Sequence, residues 1–282
     1  MITFPNCKIN LGLNITGKRN DGYHDLETVF FPVYLHDCLE VIQSANFSFQ
    51  SSGLQIQGDE GSNLCVKAYH LLKKDFPALP AVQIHLHKAI PMGAGLGGGS
   101  ADGAYMLMML NNKFKLGLSE EQLMNYALQI GSDCPFFMVK KPCIAKGRGE
   151  ILEPVDVDLS AYKLVIVNPG IHISTKEAFA KLRSTSPNLP IKDLIKQPIL
   201  TWKETLYNDF EKGAFDTYPV IKTIKHDLYK QGALYAAMTG TGSTVFGLFE
   251  KDLNVELDYP PEYFTKQINI KKVWQLYGHH TL

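Results

Sequence analysis

The chain has 282 residues, 45% of them apolar, with Lys plus Arg and Asp plus Glu balanced at 28 each. That length suits one large domain or two modest ones around a packed core, and zero formal charge argues against a protein whose main task is coating nucleic acid. Cys7, Cys38, Cys65, Cys134 and Cys143 are scattered without a C-x-x-C pair, which disfavours structural disulfides and a zinc cage. No apolar run reaches membrane-spanning length, and the opening Met1 to Lys8 lacks a secretory layout, so a cytoplasmic protein is expected.

In chain order, Cys7 to Ile15 mixes apolar and polar positions as a strand does and ends at the turn Arg19-Asn20-Asp21-Gly22. Strand-like sequence continues through Val29 to Val33, Leu39 to Ile42 and Phe47 to Ile56. Ser62 to Lys74 sets Leu64, Ala68, Leu71 and Leu72 at helical spacing, with Ser62 or Asn63 as the cap. Val82 to His87 alternates like a strand with one buried face. A glycine-rich stretch follows it, then the helix-like run Ala104 to Leu110. Ser119-Glu120-Glu121-Gln122 is a capping box that opens a helix to Ile130, stopped by Gly131.

A second half begins near Glu153-Pro154. Tyr162 to Val167 reads as a strand, and Ser174-Thr175-Lys176-Glu177 as another capping box opening a helix through Arg183. Ser184 to Pro190 is a surface loop, and helices start near Trp202 and Phe215. Ala233 to Met238 and Ser243 to Phe249 are strands around Thr239-Gly240-Thr241-Gly242, and a last strand lies near Ile268 to Gln275. Elements of one type cluster instead of alternating, so the expected class is α+β in two domains, 1–153 and 154–282.

Residues 91 to 102 are the most informative stretch, with five glycines in twelve positions between a strand and a helix. Such a loop presents backbone N–H groups at the positive end of a helix, which suits phosphate. Gly93-Ala94-Gly95-Leu96-Gly97-Gly98 satisfies the dinucleotide pattern literally, but the preceding strand alternates and no acidic residue follows about twenty positions on. A Walker A loop fails too, because no Gly-Lys-Ser/Thr ends the motif.

Three ordered motifs carry a resemblance. They are Lys8-Ile9-Asn10-Leu11 with Gly22-Tyr23-His24, the loop Pro91 to Ser100, and the turn Met238 to Ser243. Together they resemble the GHMP kinase superfamily. Gly131-Ser132-Asp133-Cys134-Pro135-Phe136-Phe137 sharpens the likeness to those members that phosphorylate a cytidyl alcohol in the non-mevalonate route to isoprenoid precursors. Cys7, Ser132 and Cys134 depart from the residues usual there, and Asp102 stands where some relatives have an Asn facing adenine.

The resemblance implies a two-domain GHMP kinase fold with its active site in the cleft between the domains. It also implies ATP, with Mg, as phosphate donor and a small-molecule cytidyl alcohol as acceptor. Pro91, Met92, Gly93, Ala94, Gly95, Leu96, Gly97, Gly98, Gly99 and Ser100 would wrap the ATP phosphates, and Asn63 and Lys88 would lie near the nucleotide base. Asp133 is the candidate general base, held in a turn before Pro135, and Lys8 its partner in an otherwise uncharged strand. Asn10, Thr175, Thr239 and Gly240 would meet the acceptor, and Tyr23, His24 and Phe179 its cytosine.

Plainer roles stand beside these: an N-cap for Ser100, a cap for Asp133, an edge-strand lysine for Lys8, core packing for Phe179, a surface histidine for His24, and an empty hairpin at Gly240. The rival functions are another GHMP small-molecule kinase (sugar, homoserine or mevalonate type) and a non-catalytic nucleotide-binding module. Tyr23-His24 argues against the first, and the retention of both Lys8 and Asp133 against the second. Neither nucleic acid nor membrane is expected as a partner, and a monomer or weak homodimer is expected.

Overall fold

The fold is taken from a computed structural model, which describes residues 1–56, 58–182 and 189–271. The first half contains β1 (Ile2–Thr3), β2 (Asn6–Lys18), β3 (His24–His36), β4 (Cys38–Gln43), β5 (Ser48–Gly53), α1 (Leu64–Asp75), β6 (Val82–Lys88), α2 (Gly98–Phe114), α3 (Glu120–Ile130) and α4 (Phe136–Val139). A hairpin of β7 (Cys143–Gly147) and β8 (Ile151–Pro154) ends it. The second half contains β9 (Tyr162–Asn168), α5 (Thr175–Ala180), α6 (Ile191–Leu194), α7 (Ile199–Thr205), α8 (Glu211–Thr217), α9 (Pro219–Lys230), β10 (Tyr235–Met238), β11 (Val245–Glu250) and β12 (Phe264–Asn269).

Three four-stranded sheets result, in the orders β1-β4-β6-β5, β2-β3-β7-β8 and β10-β11-β9-β12. Among the described residues, the β5–β6 pair is the only parallel strand pair within these sheets. Strand alternation assigns each sheet to a core. Val82, Ile84 and Leu86 of β6 face α1 and α2, joined there by Ala101, Ala104 and Leu107. Cys7, Ile9 and Leu11 of β2 face a second core shared with Leu164 and Ile166 of β9 and Phe246 and Leu248 of β11. That second core continues from one half of the chain into the other, so β2 lies along the junction. Its neighbours Lys8 and Asn10 point the opposite way, toward the cleft.

The capping box at Ser119 forms with both reciprocal hydrogen bonds. The one at Ser174 forms by half: Ser174 accepts from the Glu177 N–H, but Glu177 turns its carboxylate to Lys181 (2.7 Å) and the Tyr218 hydroxyl (3.1 Å). The helix stops at Ala180, short of the expected Arg183, which lies outside the described residues together with most of the Ser184 to Pro190 loop. Asn63, not Ser62, caps α1. The β7–β8 hairpin was not anticipated. The last strand runs over Phe264–Asn269, earlier than the Ile268 to Gln275 expected, and the end of that stretch also lies outside the described residues. No helix among the described residues is long and apolar enough to cross a membrane.

Candidate active site

The glycine loop joins β6 to α2, and its alternation explains how it is held. Ala94 and Leu96 are buried in the second core, so these two offer the cleft only their backbone. Gly93, Gly95 and Gly97 take positive φ of 61°, 78° and 70°, the left-handed conformation that glycine adopts without strain. Gly97 is the N-cap of α2 and supplies no side-chain cap, so the first N–H groups of this 17-residue helix stay open to a ligand. Ser100 therefore stands in the first turn of the helix instead of capping it, and it lines the cavity.

Glycine is also required by close approach. A Cβ on Gly95 would stand 2.9 Å from the Thr239 carbonyl carbon and closer still to its oxygen. A Cβ on Gly240 would stand 3.1 Å from the Gly95 Cα. The loop and the second glycine turn thus meet backbone to backbone. Thr239 Oγ1 lies 3.0 Å from the Gly95 carbonyl oxygen, and Asn208 Nδ2 donates to the Met238 and Gly240 carbonyls at 2.7 and 2.8 Å.

Lys8 is the hub of this contact. Its Nζ donates to Asn10 Oδ1 (2.7 Å) and to the Gly95 carbonyl (3.0 Å), lies 3.6 Å from Asp133 Oδ2, and sits 5.1 Å from the centre of the Phe30 ring. The side chain is buried, and burial lowers its pKa below the usual lysine value against the opposing pull of Asp133. Asn10 is fixed in turn by Thr28 Oγ1 and by Thr239 Oγ1, each at 3.0 Å. Asp133 stands in the turn after α3, closed by a hydrogen bond from Cys134 N to the Gly131 carbonyl (3.1 Å). It keeps about a third of its side chain exposed (33%), so it faces both the buried ammonium and the cleft.

One cavity of about 350 Å³ is lined by Lys8, Asn10, Tyr23, Gly95, Gly97, Ser100, Asp133, Thr175, Phe179 and Gly240. The structure thus brings together expected residues from both halves of the chain. His24 stacks on Phe179 with ring centres 4.7 Å apart, and Phe179 meets Phe210 edge-on at 5.0 Å. His24 and Phe179 leave no room for a base between them, so a base must use the open side of this pair or displace the imidazole. Tyr23 is 53% exposed, and the Arg148 guanidinium lies 4.2 Å from its ring centre.

Sequence reasoning missed Arg148, which also donates to Ser132 Oγ at 3.1 Å and lines the cavity. Its signal was Lys-Gly-Arg-Gly-Glu between two short apolar runs, a hairpin pattern. Thr28, Phe30, Asn208 and Phe210 were missed as well, because their roles depend on distant partners.

Three expected residues stand elsewhere. Thr239, expected at the acceptor, is fully buried, with its hydroxyl between Asn10 Oδ1 and the Gly95 carbonyl. Lys88, expected near the nucleotide base, has no exposed side-chain surface and is paired with Asp37 and, at 2.8 Å, with Asp102. Burial opposes its charge, but Asp102 and Asp37 outweigh that and hold its pKa above the usual lysine value. Asp102 therefore neither caps its helix nor reaches the cleft, and burial pushes its carboxyl up to about 8 against the pull of Lys88. Asn63 is also buried, with its side-chain oxygen on the Cys65 N–H.

Among the described residues, no group of three or more His, Cys, Asp or Glu side chains is arranged to hold a metal ion. That donor set does not disfavour magnesium, which binds through phosphates and water with few protein ligands. The Ser100 hydroxyl, beside the open helix N-terminus, is a fitting partner for its water shell.

The family model for the GHMP kinases N terminal domain matches residues 63–141, and that for the GHMP kinases C terminal matches residues 191–259. These spans contain the loop, Asp133 and the second turn, but neither Lys8 nor Tyr23-His24. A Bacteroides fragilis 4-diphosphocytidyl-2-C-methyl-D-erythritol kinase is 53% identical over 256 residues, covering 89% of this chain and 93% of the relative. The enzyme of the same name from Cytophaga hutchinsonii is 49% identical, covering 88% and 92%. A crystal structure of 4-(cytidine 5'-diphospho)-2C-methyl-D-erythritol kinase matches with a TM-score of 0.76 at 31% identity, over 89% of this chain and 91% of that one. A homoserine kinase structure from Cytophaga hutchinsonii, at 14% identity and a TM-score of 0.64 over 88% and 86%, shares the fold. The chain belongs to the GHMP kinases and, within them, to the family of the 4-diphosphocytidyl-2-C-methyl-D-erythritol kinases.

Proposed function

We propose that this protein transfers the γ-phosphate of ATP to the 2-hydroxyl of 4-diphosphocytidyl-2-C-methyl-D-erythritol, leaving ADP. The observation that carries the reading is Lys8 Nζ, held 3.0 Å from the phosphate-loop carbonyl of Gly95 and 3.6 Å from Asp133, in the same cavity as Phe179. Phosphoryl transfer asks a protein mainly for positioning and charge stabilisation. The open N–H groups of the loop and of α2 bind the phosphates, and Asp133 accepts the proton of the attacking hydroxyl. The acceptor oxygen then bonds the γ-phosphorus as the bond to the β-phosphate oxygen breaks. Lys8, 3.6 Å from Asp133, orients that carboxylate and offsets charge on the transferring group.

Magnesium, held through its water shell near Ser100, would neutralise charge on the β- and γ-oxygens. His24 and Phe179 form an aromatic platform for cytosine, with Tyr23 at the rim, and Thr175 and Gly240 border the acceptor. Arg148 is a planar cation at the cavity wall, suited to the acceptor's diphosphate. The division at 153/154 belongs to the same proposal. It is supported by two sheets built from strands of the first half, the last of which, β8, crosses the division by one residue, and by a third built only from strands after it. Location in the cytoplasm and a monomeric or weakly dimeric state complete it.

Phosphorus NMR of the protein with ATP and the cytidyl alcohol tests the reading. A new monophosphate ester on an acceptor whose diphosphate stays intact is expected. Bound ATP with no ester formed on this alcohol would reject the acceptor.

A further inference from the structure

Lys88 is the last residue of β6, immediately before the phosphate loop, and Asp102 lies in the second turn of α2, just after it. Asp37 lies between β3 and β4, far away in sequence. Its Oδ1 accepts from the backbone N–H groups of Ala89 (2.6 Å) and Ile90 (2.9 Å), the two residues that enter the loop. Its Oδ2 accepts from Lys88 Nζ, which also donates to Asp102 Oδ2 at 2.8 Å. A Cβ on Gly98 would come 3.4 Å from Lys88 Nζ, so the ammonium lies against the first residue of α2.

We infer that the buried Asp37–Lys88–Asp102 cluster is a positioning device that ties the entry of the phosphate loop to its exit and so fixes where the loop's N–H groups point. This rests on the loop being the ATP phosphate site. Lys88 acts through the loop, since its side chain has no exposed surface with which to touch a nucleotide. Stability alone is a poor account of the cluster. Burying one ammonium with two carboxylates costs desolvation that apolar residues of similar size would avoid, and Asp102 Oδ1 has no hydrogen-bond partner. What apolar residues could not do is hold the Ala89 and Ile90 N–H groups and the start of α2 in one frame. A phosphate site needs its donors placed to about 0.5 Å.

The test is calorimetric binding of a non-hydrolysable ATP analogue to wild-type protein and to Lys88→Met, with steady-state KM for the cytidyl alcohol alongside. Folded Lys88→Met should bind the analogue at least about 10-fold more weakly, while the acceptor KM moves by less than about 2-fold. Asp102→Asn keeps an oxygen for the ammonium and should weaken binding less than Lys88→Met does. If Lys88→Met does not fold, Asp37→Asn takes its place, because it preserves the two backbone hydrogen bonds and loses the charge facing Lys88. Unchanged analogue affinity in the folded variant, with only its melting temperature lowered, would show the cluster to be a core feature and overturn the inference. If wild-type protein failed to bind the analogue, the phosphate-loop reading itself would fall instead.

Discussion

Two glycines four positions apart in the phosphate loop should respond to alanine in opposite directions. Gly95 has φ 78°, and a Cβ there would run into the Thr239 carbonyl, which is backbone and has little freedom to move. A left-handed alanine costs about 1–2 kcal/mol, and overpacking at a well-packed contact adds about 1–3 kcal/mol. Gly95→Ala should therefore lose about 2–5 kcal/mol, a fall in melting temperature of roughly 4–20 °C at about 2–4 °C per kcal/mol. Gly99 lies within α2, and a Cβ there would meet nothing within 4 Å. Gly99→Ala should gain about 0.5–1 kcal/mol from the lower entropy of alanine in a helix. Differential scanning calorimetry of both variants, without nucleotide, reads the two effects directly. Gly95→Ala melting within about 1 °C of wild type, or both variants falling equally, would refute the packing of the loop against the second glycine turn.

Asp133→Asn should lower kcat by about 10²–10⁴-fold while affinity for an ATP analogue moves by less than about 2-fold, since the base meets the acceptor proton and not the nucleotide; near-normal turnover would remove Asp133 as the base. In the proposed mechanism Lys8 works as the ammonium, and burial lowers its pKa, so its charge should be lost as pH rises through that lowered value. The alkaline limb of the kcat profile should accordingly fall below the ordinary lysine range of about 10.4, and a limb above it would contradict the assigned environment.

Local chemistry was legible in the sequence wherever short-range pattern decided the outcome. The alternation of Val82 to His87, the capping box at Ser119 and the glycine loop with its helix are all present. Lys8 and Asn10 share a face because a strand alternates, and that much followed from spacing. What the sequence hid depended on partners far along the chain. Lys88 looked available to a nucleotide because its partners stand 14 and 51 positions away, at Asp102 and Asp37. Glu177 left its capping box for Lys181, four residues on, and for Tyr218, which stands on another element. His24 and Phe179 were both expected at cytosine, but only the fold shows them stacked on each other. The hairpin carrying Arg148 was missed because its two strands are only five and four residues long.

The central claim is an ATP site joined to a site built for a cytidyl alcohol. It is tested most directly by kcat/KM for 4-diphosphocytidyl-2-C-methyl-D-erythritol against the same alcohol phosphate lacking the cytidyl group, in wild type and in Phe179→Ala. Base stacking on an aromatic ring is worth about 1–3 kcal/mol. Wild type should therefore favour the cytidyl acceptor by about 5-fold or more, and Phe179→Ala should lose most of that preference through KM. Equal use of the two acceptors by wild type, or a preference untouched by Phe179→Ala, would contradict the account.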